Sequence, residues 1–95
     1  LASSDLNHHQ ELMTITMEEC GELTQACSKA MRKYNTREEI DPKWREKLIE
    51  EAGDVYTMIE MMVEFGYFRW IDIQQRVVEK RAKLAEWTNL IEKDT

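Results

Sequence analysis

The 95-residue sequence contains only three glycines and one proline. That is too little turn-forming material for a β-sandwich or barrel, which needs a turn about every 8–12 residues. No apolar run approaches the roughly 20 residues required to span a bilayer, and the first residues lack the basic-then-apolar order of a secretory signal peptide. Excess positive charge is also missing. Thirteen Lys and Arg face 19 Asp and Glu, for a net charge of −6 and an isoelectric point near 4.9. General binding to nucleic acid or to an anionic membrane needs clustered positive charge, so neither partner is expected. A phosphate-bearing ligand would need a bridging cation. Cysteine is scarce as well: Cys20 and Cys27 stand seven apart in one predicted helix, about 10 Å along its axis. A disulfide requires Cα atoms within about 7 Å, so the two cannot pair within the chain. They read as small buried hydrophobes in a reducing compartment, and the expected location is the cytoplasm.

What remains is a helix former's composition: 42% hydrophobic and 34% charged residues, in a length that suits one domain over residues 1–95. Three helical segments stand out. The first starts near Ser4 or Asp5, either of which could cap it, and runs to about Lys33 before the break Tyr34-Asn35-Thr36. The second has Asp41 as its N-cap and Pro42 at the first helical position, where a missing N–H does no harm. It extends to about Phe65 and stops at Gly66. After the connector Tyr67-Phe68-Arg69-Trp70, a third helix spans about Asp72 to Ile91. The expected fold is all-α, a helical hairpin plus a third helix. Three helices leave Met and aromatic residues without cover, so oligomerisation is expected to complete a four-helix-type bundle, as a homodimer or a dimer of dimers.

The periodicity carries an anomaly. In the first helix Leu12, Ile15, Glu19, Glu22, Ala26 and Lys29 recur at steps of three and four, so an apolar stripe turns into two carboxylates. In the second, Lys47, Glu51, Asp54, Met58 and Met61 form a similar stripe beside the apolar line Leu48, Ala52, Val55, Ile59 and Met62. This places Glu51 and Asp54 at the edge of the packing face. An acidic run on a helix is usually a solvated face, but two such pairs on two core-directed stripes argue for another role.

Glu19-Cys20-Gly21-Glu22 and Glu51-Ala52-Gly53-Asp54 share one spacing, acid-x-x-acid. Residues three apart on a helix have Cβ atoms about 5–6 Å apart, so each pair aims two carboxylates at a common point. Their repulsion, sharpened by partial burial, is relieved by a divalent cation. Carboxylates are hard oxygen ligands with no thiolate or imidazole pattern beside them, which favours Mg²⁺, with Mn²⁺ as the other option, over Zn²⁺. Gly21 and Gly53 read first as sites of close helix packing, and second as space for a ligand.

The segments Met17-Glu18-Glu19-Cys20-Gly21-Glu22-Leu23 and Leu48-Ile49-Glu50-Glu51-Ala52-Gly53-Asp54-Val55 together resemble the MazG-like all-α nucleoside triphosphate pyrophosphohydrolases. The pattern is Glu-x-x-Glu, a variable spacer of 28 residues here, then Glu-x-x-Asp. The resemblance covers most of the chain and implies a Mg²⁺-dependent hydrolase that cuts a nucleotide between its α- and β-phosphates. It also implies Glu19, Glu22, Glu51 and Asp54 as metal ligands. Glu18 and Glu50, each preceding a motif acid, become candidates for activating water; as ordinary solvated helix acids they are equally well explained. The resemblance points to Lys80 and Lys83 on the third helix for the outer phosphates. Both also fit routine surface spacing, with Arg76 and Glu79 as neighbours, and Arg81 carries less weight.

A nucleotide base could stack on Tyr34, Tyr56, Trp70 or Trp87, but aromatics in so small a protein are expected chiefly in its core. The six methionines, among them Met58, Met61 and Met62, read as core or subunit-interface filler. Adjacent His8 and His9 point in different directions and are expected to fray rather than share a metal. A di-iron bundle would want Glu-x-x-His on two helices, and only Asp5-Leu6-Asn7-His8 comes near it. Phosphoribosyl-ATP pyrophosphohydrolase is a related alternative. A non-enzymatic helical adaptor with a Met-rich partner-binding face is another, but it leaves the matched acid pairs as coincidence.

Overall fold

The computed structural model describes residues 5–92, and among these it contains helices and no strand. Helix α1 spans His8–Lys33, a single 3₁₀ turn covers Arg37–Glu39, α2 spans Pro42–Glu64 and α3 spans Trp70–Trp87. The described residues up to Met62 form one compact unit and those from Val63 onward a second.

The helix ends follow from local hydrogen bonds. Asn7, rather than Ser4 or Asp5, caps α1: its Oδ1 accepts from the Gln10 N–H at 2.8 Å, while Gln10 Oε1 accepts from the Asn7 N–H at 3.1 Å. This reciprocal box needs a Gln or Glu three residues on, which Asn7 has and Asp5 lacks. Ser4 lies outside the described residues. His8 and His9 therefore open a capped first turn instead of a frayed end. Asp41 caps α2 as expected, its Oδ1 accepting from Trp44 N–H at 2.7 Å and its Oδ2 from the Tyr34 hydroxyl at 2.8 Å. These two bonds, the backbone one first, hold the Asp41 carboxyl below its ordinary range. The end of α2 falls at Glu64, one residue short of Phe65, and Gly66 adopts φ +82°, the left-handed conformation that favours glycine.

The third helix starts two residues earlier than expected. Asp72 is its third residue rather than its first. The carboxylate reaches back to the Arg69 N–H at 2.9 Å and pairs with the Arg69 guanidinium at 3.0 Å, fixing the start at Trp70. The helix ends at Trp87 rather than Ile91. Thr88 leaves helical geometry, its hydroxyl donates back to the Leu84 carbonyl at 2.7 Å, and the Thr88 Oγ1 accepts from the Leu90 N–H.

In the first unit α1 and α2 form an antiparallel hairpin: Glu19 meets Glu51 and Asp54, while Lys29, Arg32 and Lys33 share a hollow with Trp44 near the start of α2. The buried residues are Leu12, Ala26 and Met58, with Glu51 as the buried charge. The buried positions of α2, Glu51 and Met58, thus lie on the stripe that carries the acids, while the apolar line beside it is half-buried at Leu48, Val55, Ile59 and Met62 and exposed at Ala52. Since Glu19 and Ala26 turn inward, Cys20 and Cys27 lie one residue, about 100°, further round and are exposed, which corrects their reading as buried hydrophobes. The aromatics are not core residues either. Tyr34 and Trp44 are half-buried, and Tyr56, Tyr67, Trp70 and Trp87 are exposed. Close helix packing does not explain Gly21 or Gly53, because a Cβ at either position would meet nothing within 4 Å.

Candidate metal centre

The hairpin brings three carboxylates to one point. Glu19 from α1 and Glu51 and Asp54 from α2 each offer an oxygen, and these oxygens lie within 4.8 Å of one another. The spacing explains how. Glu51 and Asp54 are one helical turn apart on the inner face of α2, and Glu19 projects from the facing stripe of α1. Glu51 sits deepest, 3% exposed. Glu19 is half-buried and Asp54 exposed, so the cluster opens outward from a buried floor.

A buried carboxylate is stable only when its oxygens are satisfied. For Glu51 one is and one is not. Oε1 accepts from Lys47 Nζ at 3.0 Å, whereas Oε2 is buried without a hydrogen-bond partner. The Lys47 ammonium also reaches Glu50 at 3.4 Å, and its hydrogen bond to Glu51 raises its pKa. Glu19 is shifted as a crowded carboxyl should be. Desolvation raises its pKa most, followed by the charges of Asp54 and Glu51, a hydrogen bond with Asp54, and the charge of Glu22. Each of these effects favours the neutral form of the Glu19 carboxyl.

The donor set fits a divalent cation. It is all oxygen, anionic and open on one side, and the orphaned Glu51 Oε2 is a buried lone pair that a cation would satisfy. Among the described residues, this is the only group of three or more acids, histidines or cysteines to converge in this way. His8 and His9 take no part in it.

Other residues singled out by sequence fall in distinct places. Glu22 is exposed and stands outside the three-acid cluster, although its charge reaches Glu19. Glu18 is half-buried beside Glu19 on α1. Glu50 is exposed and tethered to Lys47. Lys80 and Lys83 are exposed on α3, in the second unit. Lys80 Nζ lies 6.0 Å from the Trp87 ring centroid, a cation–π distance at the outer edge of the useful range. Of the base-stacking candidates, Tyr34 is committed to Asp41, and Lys33 sits over its ring at 5.5 Å.

Lys47 is the residue that sequence reasoning passed over. It stood on the acid stripe four residues before Glu51, an ordinary surface spacing. Only the burial of Glu51, which periodicity does not report, turns that pair into part of the site.

A family model, the MazG nucleotide pyrophosphohydrolase domain, matches residues 7–87. No curated protein and no solved structure matches the chain. The match runs from the Asn7 cap through the last residue of α3 and takes in both acid pairs, so the chain belongs to the MazG nucleotide pyrophosphohydrolase domain family.

Proposed function

We propose that this protein hydrolyses a ribo- or deoxyribonucleoside triphosphate between its α- and β-phosphates, releasing a nucleoside monophosphate and pyrophosphate. The observation that carries this reading is the orphaned, buried oxygen of Glu51 within a cluster of three carboxylates. A purely structural hairpin has no reason to retain such an arrangement, since an unpaired buried carboxylate oxygen costs stability.

Glu19, Glu51 and Asp54 hold the metal, Mg²⁺ with Mn²⁺ as substitute, and Glu22 joins them by a change of side-chain rotamer from its exposed position. A cation held there would supply charge to neutralise phosphate oxygens and would lower the pKa of a coordinated water. The remaining tasks fall to the chain's own groups. Lys47 holds the Glu51 carboxylate through Oε1 and leaves Oε2 for the cation. Glu18 and Glu50 are the candidates to accept a proton from the attacking water. Glu50 reaches Lys47 and is thereby coupled to Glu51. Lys80 and Lys83 are proposed to bind the outer phosphates as flexible point charges. The reaction belongs in the cytoplasm, where the exposed thiols of Cys20 and Cys27 stay reduced. Among the described residues, no helix is long and apolar enough to cross a membrane.

The working form is proposed to be a homodimer or a dimer of dimers. Met17, Ile49 and Tyr56 are large apolar side chains exposed in the first unit, and a second copy covers them most economically. Light scattering that returns a monomer at micromolar concentration would end this part of the proposal.

The functional test is pyrophosphate release from a panel of ribo- and deoxynucleoside triphosphates together with phosphoribosyl-ATP, in Mg²⁺ and in chelator. Metal-dependent release from a triphosphate supports the reading, and release from phosphoribosyl-ATP alone replaces it. If folded protein acts on no member and binds no metal, the hairpin is an adaptor.

A further inference from the structure

Although the chain carries a net charge of −6, positive charge is concentrated at one place in the first unit. Lys29, Arg32 and Lys33, in the last turns of α1, line a hollow of about 410 Å³ with the Trp44 indole. Among the described residues, none of these three cations lies within ion-pairing distance of a carboxylate. Arg32 Nε donates to the Ser28 carbonyl at 3.3 Å. The acid that senses Lys33 is Asp41, but both its oxygens already accept hydrogen bonds, from Trp44 N–H and the Tyr34 hydroxyl.

A helix C-terminus favours cations, which accounts for Arg32 and Lys33. It does not account for Lys29 a turn earlier, or for the Trp44 Nε1–H, which is buried without an acceptor. Nor does it account for a second hollow of about 490 Å³, lined by the same Lys29 and Arg32 together with Thr24, Gln25 and Ser28. Lys29 and Arg32 thus stand between a hollow floored by an indole and one lined by hydroxyl and amide groups. Each volume lies in the range of small-molecule pockets, about 300–1,000 Å³.

We infer that these paired hollows bind a nucleoside monophosphate without a divalent cation: base against Trp44, sugar over the ridge formed by Lys29 and Arg32, and phosphate held by those two cations on the side of Gln25 and Ser28. Arg and Lys donors meet phosphate with charge-assisted hydrogen bonds, and an indole supplies the flat apolar surface a base stacks on. At this site the side chains themselves would supply the charge that a bridging cation was expected to bring. The residues that line these hollows include none of the acid cluster. Lys29 lies seven residues beyond Glu22 on α1 and Trp44 seven before Glu51 on α2, about 10 Å along each helix. The inference therefore stands whether or not the acids turn over a nucleotide.

The experiment is AMP titration in excess EDTA, followed by the fluorescence of Trp44 in a Trp70→Phe/Trp87→Phe background, with adenosine and inorganic pyrophosphate as comparison probes. Saturable quenching by AMP is expected, weakening as NaCl is raised. It should weaken roughly tenfold or more in Lys29→Ala/Arg32→Ala and persist in Glu51→Gln. The two cations are exposed, so the double variant keeps its helical circular dichroism. No saturable response in EDTA, unchanged affinity in the double variant, or equal loss in Glu51→Gln would each overturn the proposal. Pyrophosphate binding as tightly as AMP would also overturn it, by leaving the base without a role.

Discussion

Replacing Glu51 by Gln should stabilise the metal-free protein and abolish its response to Mg²⁺. Glu51 is 3% exposed, Oε1 is held by Lys47 at 3.0 Å, and Oε2 is buried and unpartnered. Glutamine keeps the shape and still accepts from Lys47 through its carbonyl oxygen. Its NH₂ then stands where Oε2 was and donates to Glu19 or Asp54 instead of repelling them. A hydrogen bond to a charged acceptor contributes about 1.5–3 kcal/mol. The weaker attraction to Lys47 offsets part of this, and only part, because Lys47 is 44% exposed and keeps Glu50 and water as partners. The net gain is on the order of 1 kcal/mol, which for a domain of this size raises Tm by about 4–8 °C. Wild-type protein should behave the other way. Mg²⁺ at a hundred times its Kd adds about 2.7 kcal/mol, a rise of roughly 10–20 °C, and Glu51→Gln should show almost none of it. Scanning calorimetry of both proteins in EDTA and in Mg²⁺ reads all four values. A variant that melts below wild type in EDTA, or that keeps the Mg²⁺ rise, refutes the reasoning that Glu51 is a buried, unsatisfied metal ligand.

Three further outcomes are expected. Asp54→Asn and Glu22→Gln should each reduce turnover by about 100-fold or more, since even residues that merely orient a ligand cost about 10–100-fold, while circular dichroism stays unchanged. The raised pKa of Glu19 means that the folded state binds more protons than the unfolded state between the two pKa values. Stability in EDTA should therefore fall as pH rises from the unfolded value through the folded one. Thermal melts across that window should show the fall, and Mg²⁺ or Glu19→Gln should remove it. Asp41 is shifted the opposite way, so its contribution is present above its unfolded pKa and disappears as pH drops through the folded one. Asp41→Ala should lower Tm at neutral pH and lose its difference from wild type in strong acid.

The features legible in the sequence were those set by a few adjacent residues. Asp41-Pro42 announced the start of α2 and Gly66 its end, because capping and positive φ are local matters. The acid-x-x-acid pairs placed two carboxylates on one helical turn without reference to the rest of the fold. What escaped depends on tertiary structure. The apolar line Leu48, Ala52, Val55, Ile59 and Met62 looked like the inner face of α2, yet Glu51 and Met58 are the buried residues there. A stripe that spends two of its positions on function loses the hydrophobic signature by which a packing face is recognised. Cys20 and Cys27 were misplaced for the same reason: Glu19 and Ala26 take the inward positions and leave the thiols outside. The start of α1 moved because the reciprocal box Asn7–Gln10 outcompetes a single capping residue, and that of α3 because the Asp72 carboxylate reaches back to the Arg69 N–H and guanidinium. Lys47 was missed because an ion pair matters here through the burial of its partner, and burial is a property of the hairpin.

The most direct test of the central claim is ³¹P NMR of a nucleoside triphosphate incubated with the protein, in Mg²⁺ and in EDTA, alongside Glu51→Gln. The account predicts monophosphate and pyrophosphate appearing in equal amounts with wild-type protein in Mg²⁺, and neither product in EDTA or with the variant. Diphosphate with orthophosphate, or pyrophosphate release that persists in chelator or in Glu51→Gln, would contradict it.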